Sequence, residues 1–229
     1  MEPTIIFIII FFFAVGIHAQ NKKIFKVNVG EKVVEAIPRN EMYKYPEFVD
    51  GKVLLRDGSF AVVNLNYNSL FGEMQFIDPK GDTISVADER NIAVISAKAD
   101  SFYYDNGFLE QIDRYGKLVL AKKRLLVMTN KQKLGAMDQA GVGDVETYTS
   151  MTGNQNLKEL VAKEILTFSE KISFYIADEF YHFNQVNKKN LTKMFAKDEK
   201  KIEDYLKEKK TDFNKQADVE ELCKFLQEL

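Results

Sequence analysis

The residues equipped for chemistry are few and scattered along the chain. Glu179-x-x-His182 has the i,i+3 spacing of carboxylate-bridged metal sites, but such sites need several ligands on facing helices. His182 is the only histidine beyond His18. The surrounding "FYHFNQV" reads as a strand, so His182 is expected as a partly exposed strand residue. A Ser-His-Asp or Cys-His mechanism would have to use His182 as its base, and no nucleophile motif such as G-x-S-x-G accompanies it. Asp212, Asn214, Gln216 and Asp218 imitate the early, alternating ligands of an EF-hand loop. Ala217 replaces the glycine of its sharp turn and Cys223 its closing bidentate glutamate, which leaves a solvated turn as the expectation. Asp78, Asp82, Asp88 and Glu89 offer carboxylates for acid and base work on a glycosidic bond, and a hydrolase using them is the third-ranked reading. Their spacing puts them at turns, where Asp is favoured for its own backbone hydrogen bonds. The run "GAMDQAGVGDV" lacks the Gly-Lys-Ser/Thr ending of a phosphate cradle. The chain is therefore assigned no catalytic, cofactor-binding or metal-binding residue.

Aromatic residues supply the strongest recognition signal. Phe102, Tyr103, Tyr104 and Phe108 surround one expected hairpin, and Tyr43 and Tyr45 precede the strands. Alternation along a strand sends about half of such a set into the core and half outward. These six are the candidate recognition surface.

The elements that must carry them follow from periodicity. From Lys52 onward, short alternating apolar runs are interrupted by turn residues every 8 to 12 positions, the spacing of an antiparallel meander. "KVLLR" leads into Asp57-Gly58, a hairpin signal, and "SFAVVNLNY" returns. "GEMQFI" meets "DPKGD", in which Pro79 presets φ and Gly81 takes the left-handed position, and "TISV" runs back. "IAVISA", "SFYY", "FLEQIDR" and "KLVLAKKRLLVM" continue the pattern, with "KIFKVNV" as an earlier strand. The expected class is mainly β with a C-terminal helical segment (α+β), an antiparallel meander closed as a barrel or stacked as a sandwich. "LKELVAKEI" is expected as a short helix, and "ISFYI" with "FYHFNQV" as a hairpin. Beyond it Leu191, Met194 and Phe195, then Ile202, Tyr205 and Leu206, then Val219, Leu222, Cys223 and Leu226 recur three and four apart, which predicts three amphipathic helices. Asn187, Asp198 and Asp218 are their candidate caps or first-turn acids. The lysines from Lys188 to Lys215 alternate with acids and read as solvated helix faces.

The apolar run Ile5–Ile17, followed by "HAQNKK" with the small residue Ala19, reads as a secretory signal cleaved before Gln20. It is shorter than the roughly 20 residues of a membrane span. No Lys or Arg precedes the run while Lys22, Lys23 and Lys26 follow it, so an uncleaved anchor is the alternative. The division expected is a signal peptide (1–19), an antiparallel β body (20–129), a flexible loop (130–155), a short helix and β-hairpin (156–186) and a helical C-terminal tail (187–229). One cysteine excludes an internal disulfide, and 32 basic against 34 acidic residues give no electrostatic reason for nucleic acid as a partner.

"YPEFVDGKVLLRDG", "LNYN", "EMQFI" and the tail "KKNLTKMF…KIEDYLKEKKTDFNKQADVEELCKFL" resemble a group of exported Bacteroidetes proteins with a β-rich body and a short helical tail. The resemblance implies export and this architecture, and it implies no activity. The expectation is a periplasmic or secreted, noncatalytic binding or envelope-assembly module without a cofactor, its partner an envelope protein or a small ligand. A β-barrel carrier of a small apolar molecule is the alternative.

Overall fold

The computed structural model describes residues 23–86, 88–132 and 155–229. The expected signal peptide and the glycine-rich run lie outside the described residues. One eleven-stranded antiparallel sheet forms the body, with strand order β1-β10-β9-β8-β7-β6-β2-β3-β4-β5 and β11 paired to β10. The strands are β1 (Ile24–Val27), β2 (Val49–Leu55), β3 (Phe60–Asn68), β4 (Glu73–Ile77), β5 (Thr83–Ser85), β6 (Ile92–Ala97), β7 (Asp100–Tyr104), β8 (Phe108–Tyr115), β9 (Leu118–Gln132), β10 (Ile165–Ala177) and β11 (Phe183–Gln185). Helices α1 (Val33–Ala36) and α2 (Arg39–Met42) precede β2, α3 (Gln155–Lys158) precedes β10, and α4 (Lys188–Met194), α5 (Glu199–Lys209) and α6 (Gln216–Leu226) end the chain. The protein is thus mainly β with a C-terminal helical segment.

Turn chemistry sets the meander. Between β4 and β5 the Asp78 carboxylate accepts from Lys80 N (2.9 Å) and Asp82 N (2.8 Å), while Gly81 takes φ +90°. That left-handed conformation is strained for any residue with a Cβ. The sheet then curls until the β3–β4 turn reaches β9. Leu126 N donates to Ser69 O (2.8 Å), and the Tyr67 hydroxyl to Arg124 O (2.8 Å). Single bonds, not a ladder, bridge this curl, and the sheet is not closed. Among the described residues the sheet stays open, so the barrel among the expected architectures is not formed there.

Side chains alternate between a concave inner face and an outer face. Inside the curl Leu65, Met74, Ile95, Phe102 and Phe108 form one cluster. At one end α1 and α2 cover Leu126 and Phe168, with Val33 and Ile37 fully buried. At the other, the tail helices lay Leu191, Ile202, Val219, Leu222 and Leu226 on Leu120, Phe174 and Ile176. Each fully buried aliphatic side chain stabilises by about 1.5–3 kcal/mol, which holds the tail to the sheet. Asn187 caps α4 by accepting from Asn190 N at 2.9 Å. Asp198 holds Lys201 rather than a backbone amide, at 2.8 Å, and Asp218 accepts from Asp212 N.

Two segments depart from expectation. The helix expected through Ile165 stops at Lys158; Val161 bridges to Lys32, Ala162 N donates to Glu31 O, and Ile165 opens the thirteen-residue β10. β-Branched residues with a strand to pair to favour the extended form over a helix. β9 runs to Gln132, so residues 130–132 of the expected loop are strand, in register with Ile165–Thr167; 133–154 lie outside the described residues.

Candidate functional site

Burial separates the six aromatic candidates. Phe102 and Phe108 are 1 % and 2 % exposed on the inner face, where only packing can use them. Tyr45 is buried there too, its hydroxyl 2.7 Å from Asp100 Oδ2 and 3.1 Å from Ala97 O. Burial first, and then the Asp100 carboxylate, push that hydroxyl's pKa far above its ordinary value. Tyr43 is half-buried, donating to Gln75 Oε1 (2.9 Å) beneath the Arg39 guanidinium. These four do not form a surface. Tyr103 does reach one, at an outer groove of about 530 Å³ that Tyr104 also borders, although the Tyr104 ring packs edge-on against Phe108 of the inner cluster.

Four elements build the groove. β2 contributes Leu54 and Arg56 follows it; β6 contributes Val94; β7 contributes Tyr103 and Tyr104; and the β10–β11 turn contributes Phe180, Tyr181, His182 and Phe183. The Tyr103 ring is the floor, packed against Val119 and Ala177, a pair in the β9–β10 register. Tyr181 has φ +62° and folds back, so its ring stacks on Tyr103 with centroids 4.8 Å apart. Arg114 donates to the Tyr181 hydroxyl and lies 5.2 Å from that ring's centroid, a cation–π arrangement. Tyr103 donates onward to Gln111 Oε1 at 2.9 Å. Asp178 shapes the turn by accepting from Phe180 N and His182 N, and its Oδ2 lies 3.0 Å from His182 Nδ1. Phe180 is left standing in solvent, 71 % exposed.

His182 therefore sits in a solvent-exposed turn and not on a strand as expected. The physical reason is the Asx-type turn made by Asp178, which delays pairing until Phe183. Aromatic residues in a turn were themselves the missed signal, because turn positions ordinarily favour small polar residues.

The apolar surface extends beyond the groove along the outer face. Leu54 pairs with Phe60 on one side and Val94 on the other, and Val62 pairs with Lys52. Phe60 and Val62 are 60 % and 66 % exposed, with Lys52 Nζ 4.3 Å over the Phe60 ring.

On the inner face a belt of partly buried charge was also missed. Glu110 Oε1 lies 2.7 Å from Lys44 Nζ and 3.1 Å from Lys122 Nζ, and Arg124 Nε lies 2.5 Å from Glu170 Oε1. The signal was charge at inward positions of "FLEQIDR" and "KLVLAKKRLLVM". Acids and bases pair throughout this belt, the pattern of a structural ion network.

The turn carboxylates have other employment. Asp78 shapes its turn, Asp88 accepts from Asn91 Nδ2 (2.8 Å), and Asp212 accepts from Asn214. Among the described residues no three His, Cys, Asp or Glu side chains stand ready to hold a metal ion, and no helix among them is long and apolar enough to cross a membrane.

These features define a class of architecture, an open curled antiparallel sheet with a helical tail and an uncovered aromatic outer face. Comparison with protein-family models, curated proteins and solved structures gives no match.

Proposed function

We propose that the chain is an exported, noncatalytic binding or cell-envelope assembly protein that engages its partner through the outer aromatic face. The observation that carries the reading is the concentration of Phe60, Val62, Phe180 and Tyr181, all more than two-fifths exposed, on one side of one sheet. An exposed apolar patch of a few hundred Å² is about the size of the largest patch on a monomer, and such a patch is often functional. Export rests on the Ile5–Ile17 run and Ala19.

The test is cross-linking in the cells that make the protein, followed by purification and quantitation of the linked partner. Phe180→Asp and Phe60→Asp should each lower recovery at least tenfold, and Lys80→Ala, in the distant β4–β5 turn, should not. Recovery indifferent to both aromatic substitutions would overturn the proposal.

A further inference from the structure

Resting on that binding reading, we propose that the partner is a second copy of this chain, and that the two outer faces pack about a two-fold axis.

The face has two unlike ends. At one, Phe60 and Val62 lie on the sheet 60 % and 66 % exposed, with the Lys52 ammonium over the Phe60 ring. At the other, the β10–β11 turn crosses back over the sheet far enough to stack Tyr181 on Tyr103, and it presents Phe180 outward. Between them Phe60, Leu54 and Val94 run in cross-strand register toward Tyr103. A two-fold axis through the middle of this stripe exchanges its ends. The raised Phe180 of each copy then falls on the flat Phe60 and Val62 of the other, so one surface supplies both knob and seat. That self-complementarity is what an isologous interface requires.

Area decides between this occupant and a small ligand. The exposed fractions of Phe60, Val62, Phe180 and Tyr181 leave on the order of 400 Å² of apolar surface uncovered, about half of the roughly 800 Å² each partner contributes to a standard interface. Half-buried Leu54 and Val94 add a little to it. The stripe crosses four strands, about 14 Å at their usual spacing. A small molecule in the groove would leave Phe60 and Val62 bare, whereas a second sheet about 10 Å away covers the whole row, as in a sandwich. Lys52, paired with Val62 and with its Nζ 4.3 Å over the Phe60 ring, has to swing its flexible stem aside to open that seat, whereas Arg56 Nε donates to Arg90 O (2.9 Å) at the end of β2.

Sedimentation equilibrium of the purified chain tests the proposal. A concentration-dependent dimer is expected, with Phe60→Asp and Phe180→Asp each raising its dissociation constant at least tenfold while circular dichroism stays unchanged, since both side chains are exposed. Val62→Cys combined with Phe180→Cys should give a covalent dimer on oxidation that neither substitution gives alone; the native Cys223 is buried. A monomer at all concentrations, or a dimer indifferent to both aspartates, overturns the proposal. If such a monomer still loses a different cross-linked partner on Phe180→Asp, the binding reading survives the loss of the dimer. If that cross-linking is also indifferent, both fail.

Discussion

Glu110 and Lys122 face each other across β8 and β9, with Lys122 Nζ 3.1 Å from Glu110 Oε1 and the carboxylate side chain only 11 % exposed. Lys44 reaches the same oxygen from the segment before β2. Removing the carboxylate leaves Lys122 without this partner and brings two ammonium groups together in a partly dry setting. Glu110→Ala should therefore cost about 2–4 kcal/mol by urea denaturation. A double-mutant cycle with Lys122→Ala should show coupling above about 0.5 kcal/mol. Additive losses would show that the pair is incidental.

The Tyr103–Tyr181 stack holds the outer turn in a conformation that disfavours its own residue. Tyr181 has φ +62°, where glycine is at ease and a Cβ is not. Tyr181→Ala loses a ring contact worth about 0.5–1.5 kcal/mol and keeps the backbone strain. Tyr181→Gly loses the same contact and sheds about 1 kcal/mol of that strain. The glycine variant should thus be the more stable of the two, the reverse of the usual order, as read from their urea midpoints.

The strands from β2 to β9 were legible because alternation and turn chemistry agreed, as at Asp57-Gly58 and in "DPKGD". "IAVISA" became β6 residue for residue. The tail was legible through its three-and-four spacing, and its expected inward residues Leu191, Ile202, Val219 and Leu222 are buried. β10 was legible only at its end, where "ISFYI" was expected to pair back as a hairpin and does so with β11; before it Glu170 and Lys171 interrupt the apolar pattern, and Glu170 pairs with Arg124 inside the curl, a contact that local sequence does not contain. The aromatic surface failed for a related reason. Parity separates Phe102 from Tyr103, but the curl decides which parity faces inward.

Met74 is 1 % exposed and Phe76, its neighbour on the same face, only half-buried near the sheet's end. If the β3–β4–β5 unit serves folding, Met74→Ala should cost about 2–5 kcal/mol. Phe76→Ala should cost less, and Lys80→Ala less than about 0.5 kcal/mol. Thermal melts of the three variants check the ranking. A Met74→Ala protein as stable as the parent would contradict the packing.

Cys223 gives a pH-dependent consequence. The thiol is fully buried in α6 against the sheet. Burial first, and then the nearby Glu220 carboxylate, push its pKa from 9.0 to about 12. In the unfolded chain the thiol loses its proton near its ordinary value, whereas in the folded chain it keeps it. Across that window the native state binds the extra proton, so stability must fall as pH rises, by up to about 1.4 kcal/mol per unit from this group. Tyr45 and Tyr67, their hydroxyl pKa values also raised chiefly by burial, act in the same direction from about pH 10 upward. Urea midpoints should therefore decline above pH 9, and Cys223→Ala, though less stable at neutral pH, should show a shallower decline. In the native protein the thiol should react with Ellman's reagent only at the rate of unfolding, and in urea at once. Immediate labelling of the folded chain, or parallel alkaline slopes for the two proteins, would mean that Cys223 is not sealed between α6 and the sheet.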